Sequence, residues 1–156
     1  MAESLFDLPQ EYDEMLSRGL SLTGESKAYF IRGRIKAIGE HLPKELNPTN
    51  IVDFGCGTGD TCKYLRQIYP GAHVTGLDAS PKVIDYAEQR NRDPQIHFGL
   101  LKDEYTRGLT YDLGYVNGVF HHVNPSERVA ALQSMHRLLK PSAFLCFFEK
   151  IFIKSS

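Results

Sequence analysis

The chain of 156 residues lacks an excess of charge of either sign: eighteen Lys and Arg stand against nineteen Asp and Glu, a net charge of −1. No global positive field gathers nucleic acid or an anionic membrane, and neither is expected as a partner. Cysteine is scarce. The three present, Cys56, Cys62 and Cys146, form neither a CxxC pair nor an even framework, which fits a reducing compartment better than secretion. No apolar run approaches the roughly 18 residues of a membrane-spanning helix. The opening MAESLFDLPQEYDEM carries acids where a signal peptide wants a basic start, so the expected location is cytoplasmic. The six histidines include no HExxH and no zinc-ligand spacing, so no metal is expected. What remains is ordinary globular composition, 42% apolar and 24% charged, in a length suited to one domain with one layered core.

Periodicity and turn chemistry divide the chain into alternating elements. EYDEMLSRGL, Glu11 to Leu20, reads as a short helix. From Ser26 to Leu42, Ile31, Ile35, Ile38 and Leu42 recur at helical spacing until Pro43 stops the run. NIVDF is a strand, GDTCKYLRQIY a helix closed by Pro70-Gly71, and HVTGLD a second strand. Ser80-Pro81 opens the next helix with a capping residue and a proline at the first helical position, and that helix runs to about Asn91. QIHFG and DLGYVNG are the third and fourth strands. Asn124, Pro125 and Glu127 then predict a cap, a first-position proline and a capping-box acid ahead of a helix whose apolar stripe is Val129, Leu132, Met135 and Leu139. Lys140-Pro141 ends it, and SAFLCFFE is an apolar fifth strand. Strands alternating with helices of this length mean βαβ units: an α/β, doubly wound, Rossmann-like and mostly parallel sheet of about five strands with helices on both faces. The expected organisation is a single domain over residues 1–156, with an N-terminal helical lid over 1–48 and a binding core over 49–150.

Within that fold, IVDFGCGTGD holds the chemistry. A loop after the first strand of such a sheet delivers backbone amides and a helix N-terminus to a ligand, and glycine at every second position clears side chains from its path. Nicotinamide-binding loops space their glycines as GxGxxG, which needs glycine at 55, 57 and 60. This chain has Gly55, Gly57 and Gly59, and then Asp60, which sets negative charge where a pyrophosphate would lie. A dinucleotide is therefore disfavoured.

With Asp53 ahead of it, DFGCGTG resembles the glycine-rich motif of the class I S-adenosylmethionine-dependent methyltransferases. VTGLDAS, YDLGYVNGVFHHV and LLKPSAFL are similar to three further segments of that family in the same order, with Ser142 where a glycine is usual. The resemblance covers Asn50 to Glu149. It implies S-adenosyl-L-methionine as cofactor, with Gly55, Cys56 and Gly57 contributing backbone. Asp53 would order the loop and the methionyl ammonium, Asp78 would accept both ribose hydroxyls with Ala79 beside it, and Asn117 would offer its carbonyl to the ammonium. The family commonly has an acid after the third strand for the adenine amino group. Here Leu100 or Leu101 stands at that place, with Asp103 and Glu104 beyond, so apolar contact and backbone amides are one way to hold the ring and a shifted acidic loop another. His121, after the fourth strand, is the candidate general base.

Each role has a structural competitor. The glycines serve equally as a strand-to-helix turn, Asp53 as a loop cap, Asp78 as a cap for the Ser80-Pro81 helix, Asn117 as a strand end, and His121 as packing around the methionine moiety. Arg32 and Arg34 would either bind the cofactor carboxylate from a lid or lie on a solvated face. In-line methyl transfer from a sulfonium asks for an aligned nucleophile about 3 Å from the methyl carbon and a dry pocket. VNGVFHH is not the Asn-Pro-Pro-aromatic signature of amino-methylating enzymes, so a small-molecule acceptor is the expectation. The alternative is a non-catalytic domain that binds S-adenosylmethionine or S-adenosylhomocysteine without a complete acceptor site. After Glu149 the sequence reads KIFIKSS, too short for the helix and strand pair with which the family usually continues. SAFLCFFEKIFI would leave an apolar edge, and a homo-oligomer through this C-terminal strand is one expected remedy, with N-terminal helices from Glu11 to Leu42 folded across that edge the competing one.

Overall fold

The computed structural model describes Glu14, residues 26–108 and residues 110–149. The helix expected over Glu11 to Leu20 and the segment after Glu149 lie outside the described residues. Five strands, β1 (Asn50–Phe54), β2 (His73–Asp78), β3 (Ile96–Leu100), β4 (Tyr111–Asn117) and β5 (Leu139–Phe148), form one sheet in the order β3-β2-β1-β4-β5. Every neighbouring pair is parallel. The chain moves outward from β1 through β2 to β3, then returns to lay β4 on the other side of β1. That reversal opens a crevice at the carboxyl ends of β1 and β4, where ligands of such sheets sit.

Strands buried on both faces read as unbroken apolar runs. In β1, Ile51 and Asp53 turn to one face and Val52 and Phe54 to the other, all buried. The first face is covered by α1 (Lys27–His41), α2 (Asp60–Ile68) and α3 (Pro81–Arg90), whose Ile31, Ile35, Ile38, Cys62, Leu65, Ile84 and Ala87 pack with Val74, Leu113 and Tyr115. The three isoleucines of α1 are at most 6% exposed. Burying each is worth roughly 1.5–3 kcal/mol, enough to dock this helix. Ser26 caps it by accepting from the Tyr29 N–H, and Ser80 caps α3 through Val83.

The second face is covered by α5 (Arg128–Leu138), whose buried residues are Met135 and Leu138. Here the expected stripe is wrong by a rotation of the helix. Val129 is 65% and Leu132 42% exposed, and Leu139 already belongs to β5. The stripe that faces the sheet is Ala131, Met135 and Leu138, a spacing of four and three that fits a helix as well as the chosen one. The cap is also local. Asn124 accepts from the Ser126 N–H within a 3₁₀ turn, Pro125–Glu127, and Glu127 closes no capping box.

One helix was not foreseen. After β3 the chain enters α4 (Leu101–Arg107), in which the carboxylate of Glu104 is 1% exposed. The Tyr111 hydroxyl donates to it and Arg107 lies 3.5 Å away, so this buried acid anchors α4 instead of facing water. Burial first, and then Glu104, push the Tyr111 phenol up. Ser142, in β5, has a φ of +65°, where an L side chain costs about 1–2 kcal/mol. Glycine, which carries no Cβ, would remove that cost. No helix among the described residues is long and apolar enough to cross a membrane.

Candidate functional site

The loop after β1 is built on three left-handed glycines: φ is +70° at Gly55, +53° at Gly57 and +78° at Gly59. The surroundings of each differ, and the difference defines the site. A Cβ on Gly55 would lie 2.4 Å from Val119 Cγ2, and one on Gly59 would lie 2.6 Å from the Phe98 ring. Both glycines let the loop press against neighbours. A Cβ on Gly57 would meet nothing within 4 Å. Gly57 therefore faces open space at the mouth of the crevice, the placement of a residue that leaves room for a ligand.

Hydrogen bonds fix the loop against β2. Gly55 and Cys56 donate their N–H groups to the Leu77 carbonyl at 2.7 and 3.0 Å, and the Gly57 N–H donates to Asp78 Oδ2 at 3.2 Å. Asp78 Oδ1 accepts from the Ser80 N–H at 3.0 Å. Asp78 thus caps the turn into α3, as its structural reading expected, and also lies against the glycine loop. An ionised carboxylate offers about four lone-pair sites, so two remain for a ligand's hydroxyls. Ala79, next in the chain, is exposed.

Asp53 lies beneath the loop, 2% exposed, in register with Gly76 on β2 and Tyr115 on β4. The Cys62 thiol is 3.6 Å from its Oδ2. Burial pushes the Asp53 carboxyl up to about 7, eased by the thiol and reinforced by Asp78. A group there that brings positive charge would be met by a carboxylate ready to ionise. The phenol of Tyr115 is buried without a hydrogen-bond partner among the described residues, and burial, then Asp53, push it up. Cys56 is buried, and burial raises its thiol well above the usual range, so it offers no thiolate.

The other side of the crevice is the end of β4. Asn117 holds its side-chain oxygen 2.6 Å from Nη1 of Arg34, which reaches across from α1. Arg34 is therefore no solvated-face residue, whereas Arg32 is exposed and lies 5.3 Å over the Tyr64 ring. Lys27, also on α1, donates to Thr58 Oγ1 at 3.0 Å and pairs with Asp60 Oδ2 at 2.9 Å. Burial alone would raise the Asp60 carboxyl, but Lys27 outweighs it and holds Asp60 below its usual range. Asp60 is thus ionised at the N-terminus of α2. It complements the helix dipole there and repels the phosphate that a dinucleotide would bring.

Leu100 ends β3 and packs with the first-face cluster, while Leu101 opens α4 and packs with the second. Both are half-buried, and Asp103 is exposed on α4. His121 is folded over the turn after β4: a Cβ on Gly118 would lie 3.6 Å from its Cε1. Its Nδ1 is 3.2 Å from Oε2 of Glu149, a residue that sequence reasoning did not single out. So the hydrogen bonds join Gly57 to Asp78 and Asn117 to Arg34, while Glu149 holds His121 on the β5 side.

A methyltransferase-domain family profile matches residues 51–142. The demethylmenaquinone methyltransferase of Thermotoga maritima is 30% identical over 148 residues, 95% of this chain and 61% of that protein. Among solved structures, a TehB-like SAM-dependent methyltransferase from Corynebacterium glutamicum superposes with a TM-score of 0.63 at 28% identity, covering 86% of this chain and 68% of that one. Coclaurine N-methyltransferase, bound to N-methylheliamine and SAH, shares the fold with a TM-score of 0.61 at 21% identity, over 78% of this chain and 36% of its own. The chain spans about three fifths of the length of the Thermotoga relative.

Proposed function

Because the chain belongs to the methyltransferase-domain family, we propose that it binds S-adenosyl-L-methionine in the crevice between β1 and β4 and transfers its methyl group to a small-molecule acceptor. The observation that carries this reading is Gly57: left-handed, open on its Cβ side, and with its N–H held by the carboxylate of Asp78. The cofactor supplies a methyl group on a positively charged sulfur. Around it, Asp78 would take the ribose hydroxyls on its unused lone pairs, and Gly55, Cys56 and Gly57 would line the path with backbone. Asp53 and Asn117 would face the methionyl ammonium, and Leu101 the adenine. Arg34, at the rim on α1, is placed to meet the methionyl carboxylate, which supports the N-terminal segment as a lid. The demethylmenaquinone methyltransferase and the coclaurine N-methyltransferase each carry a small acceptor in their names, which supports that class of acceptor.

Replacing Asp78 with alanine is expected to weaken S-adenosylhomocysteine binding by about 1.5–3 kcal/mol, the worth of charge-assisted hydrogen bonds, or roughly 10- to 150-fold. Titration calorimetry measures this directly, and an unchanged affinity would remove Asp78 from the site. Cofactor binding with no turnover against any acceptor would instead favour a non-catalytic binding domain.

The same reading extends to assembly. β5 is an edge strand among the described residues, with Phe144 and Phe147 exposed at 37% and 39%, one toward each face of the sheet. Self-association through this strand covers both rings. Light scattering at tens of micromolar is expected to give a dimer that dissociates in Phe144→Lys, and a clean, soluble monomer of the unaltered chain would remove the proposal.

A further inference from the structure

We propose that Glu149 is a positioning residue for the transfer step: it anchors the turn after β4 and holds His121 in the tautomer that can accept a proton. This rests on the methyltransferase reading of the crevice and adds to it a residue from the end of β5.

The geometry is specific. Oε1 of Glu149 accepts from the Val119 and Phe120 N–H groups, both at 2.6 Å, while Oε2 faces Nδ1 of His121 at 3.2 Å. Burial would raise this carboxyl, but the Phe120 amide, His121 and the Val119 amide outweigh it and hold it below the usual range. It is therefore an ionised acceptor, and a carboxylate donates nothing. Nδ1 must supply the hydrogen. In the neutral ring that leaves Nε2 with a bare lone pair, the state a general base needs.

Both ends of this arrangement bear on the crevice. Val119, whose N–H the carboxylate holds, is the residue against which Gly55 packs, and His121 overlies Gly118, next to Asn117. One carboxylate thus sets the position of the glycine loop's neighbour and of the candidate base together. The charged groups around His121 point the same way. The His122 ring lies 3.7 Å from it, centroid to centroid, and burial, then His121, push His122 down. Arg34 is engaged with Asn117, and Arg128 with the Val123 carbonyl.

The step balances without a further reactant. The acceptor's X–H bond breaks as Nε2 of His121 takes the proton, while the bond from X to the methyl carbon forms and the bond from carbon to sulfur breaks, both electrons staying on sulfur. The positive charge lost from sulfur reappears on the imidazolium, beside the Glu149 carboxylate.

The test reads the tautomer directly, with no acceptor needed. Nitrogen-15 NMR of the whole chain at alkaline pH, with the His121 signals assigned through His121→Gln, is expected to show the Nδ1–H form. In Glu149→Gln the side-chain oxygen still accepts from the two amides, but its NH₂ now faces Nδ1, and the ring is expected to invert to the Nε2–H form. An Nε2–H ring in the unaltered chain, or no inversion in the variant, would overturn the proposal. S-adenosylhomocysteine calorimetry separates it from the reading it rests on. No binding by the unaltered chain defeats the methyltransferase reading and leaves the tautomer result standing. Binding within about threefold in both proteins is expected, because the glutamine oxygen keeps both amide contacts, and binding lost in Glu149→Gln alone would overturn the anchoring of the turn through those amides.

Discussion

Asp53→Asn is expected to make the ligand-free protein more stable at pH 8, not less. A carboxyl normally titrates near 3.8, and burial moves this one to about 7. The sign follows from linkage. Between those two values the folded chain holds a proton that the unfolded chain has released, so the stability Asp53 contributes is complete below about pH 4 and is lost as pH rises through 7. At about 1.4 kcal/mol per unit, the loss amounts to a few kcal/mol at pH 8. Asparagine has the same shape, stays neutral, and keeps an oxygen for the Cys62 thiol. The expected result is a melting temperature several degrees above the parent at pH 8, with a gap that narrows steadily toward pH 5. Asp60, Asp112 and Glu149 run the other way, since their carboxyls are held low, but they are present in both proteins and drop out of the difference. A variant less stable than the parent at pH 8, or a gap independent of pH, would show that burial does not raise the Asp53 carboxyl. With the cofactor's ammonium proposed to lie near this carboxyl, the same substitution is expected to weaken S-adenosylhomocysteine binding. Greater stability and poorer binding in one variant is the signature of a residue kept for its ligand.

The second large effect is a contrast between two glycines two positions apart. Gly57→Val is expected to fold and to lose more than about 100-fold in S-adenosylhomocysteine affinity. Gly59→Val is expected not to fold. Both impose a branched side chain on left-handed backbone, at a cost of about 1–2 kcal/mol. At Gly59 the new Cβ would also lie 2.6 Å from the buried Phe98 ring and 2.9 Å from the Asn91 side chain, so both would have to shift. At Gly57 it enters open space, which is the space the cofactor is proposed to use. Circular dichroism and calorimetry distinguish the cases, and a folded Gly57→Val that binds within threefold of the parent would reduce the loop to a plain turn.

The strands were legible because parallel strands are buried on both sides and have to be apolar throughout. NIVDF and HVTGLD announce themselves, and the Ser80-Pro81 cap fixes one helix start to the residue. The two failures share a cause. α5 offered two stripes of equal period, and the true one includes Ala131, whose single methyl carries little hydrophobic signal. α4 is seven residues long, has no side-chain cap, and buries a glutamate that reads in sequence as a solvated charge. In the candidate site, the glycine loop and Asp78 are close in the fold and each was marked by local sequence. Glu149 carries no such mark. It follows β5, and its partners lie 28 to 30 positions earlier in the turn after β4, so only the parallel pairing of β4 with β5 brings them together.

The contacts of α1 set an order in which the molecule comes apart. Arg34 meets Asn117 across 83 positions of chain and Lys27 meets Asp60 across 33, yet α1 belongs to no strand pair and the sheet is complete without it. Hydrogen exchange resolves such a molecule into units with separate opening free energies. Release of α1 removes two cations from the rim and uncovers Ile31, Ile35 and Ile38, while the glycine loop stays pinned to Leu77 and Asp78 and the turn after β4 stays pinned to Glu149. The floor of the crevice therefore shares the global stability of the sheet, and its rim has the lower stability of one helix. Amides of β1 and β4 report the first, and those of α1 the second.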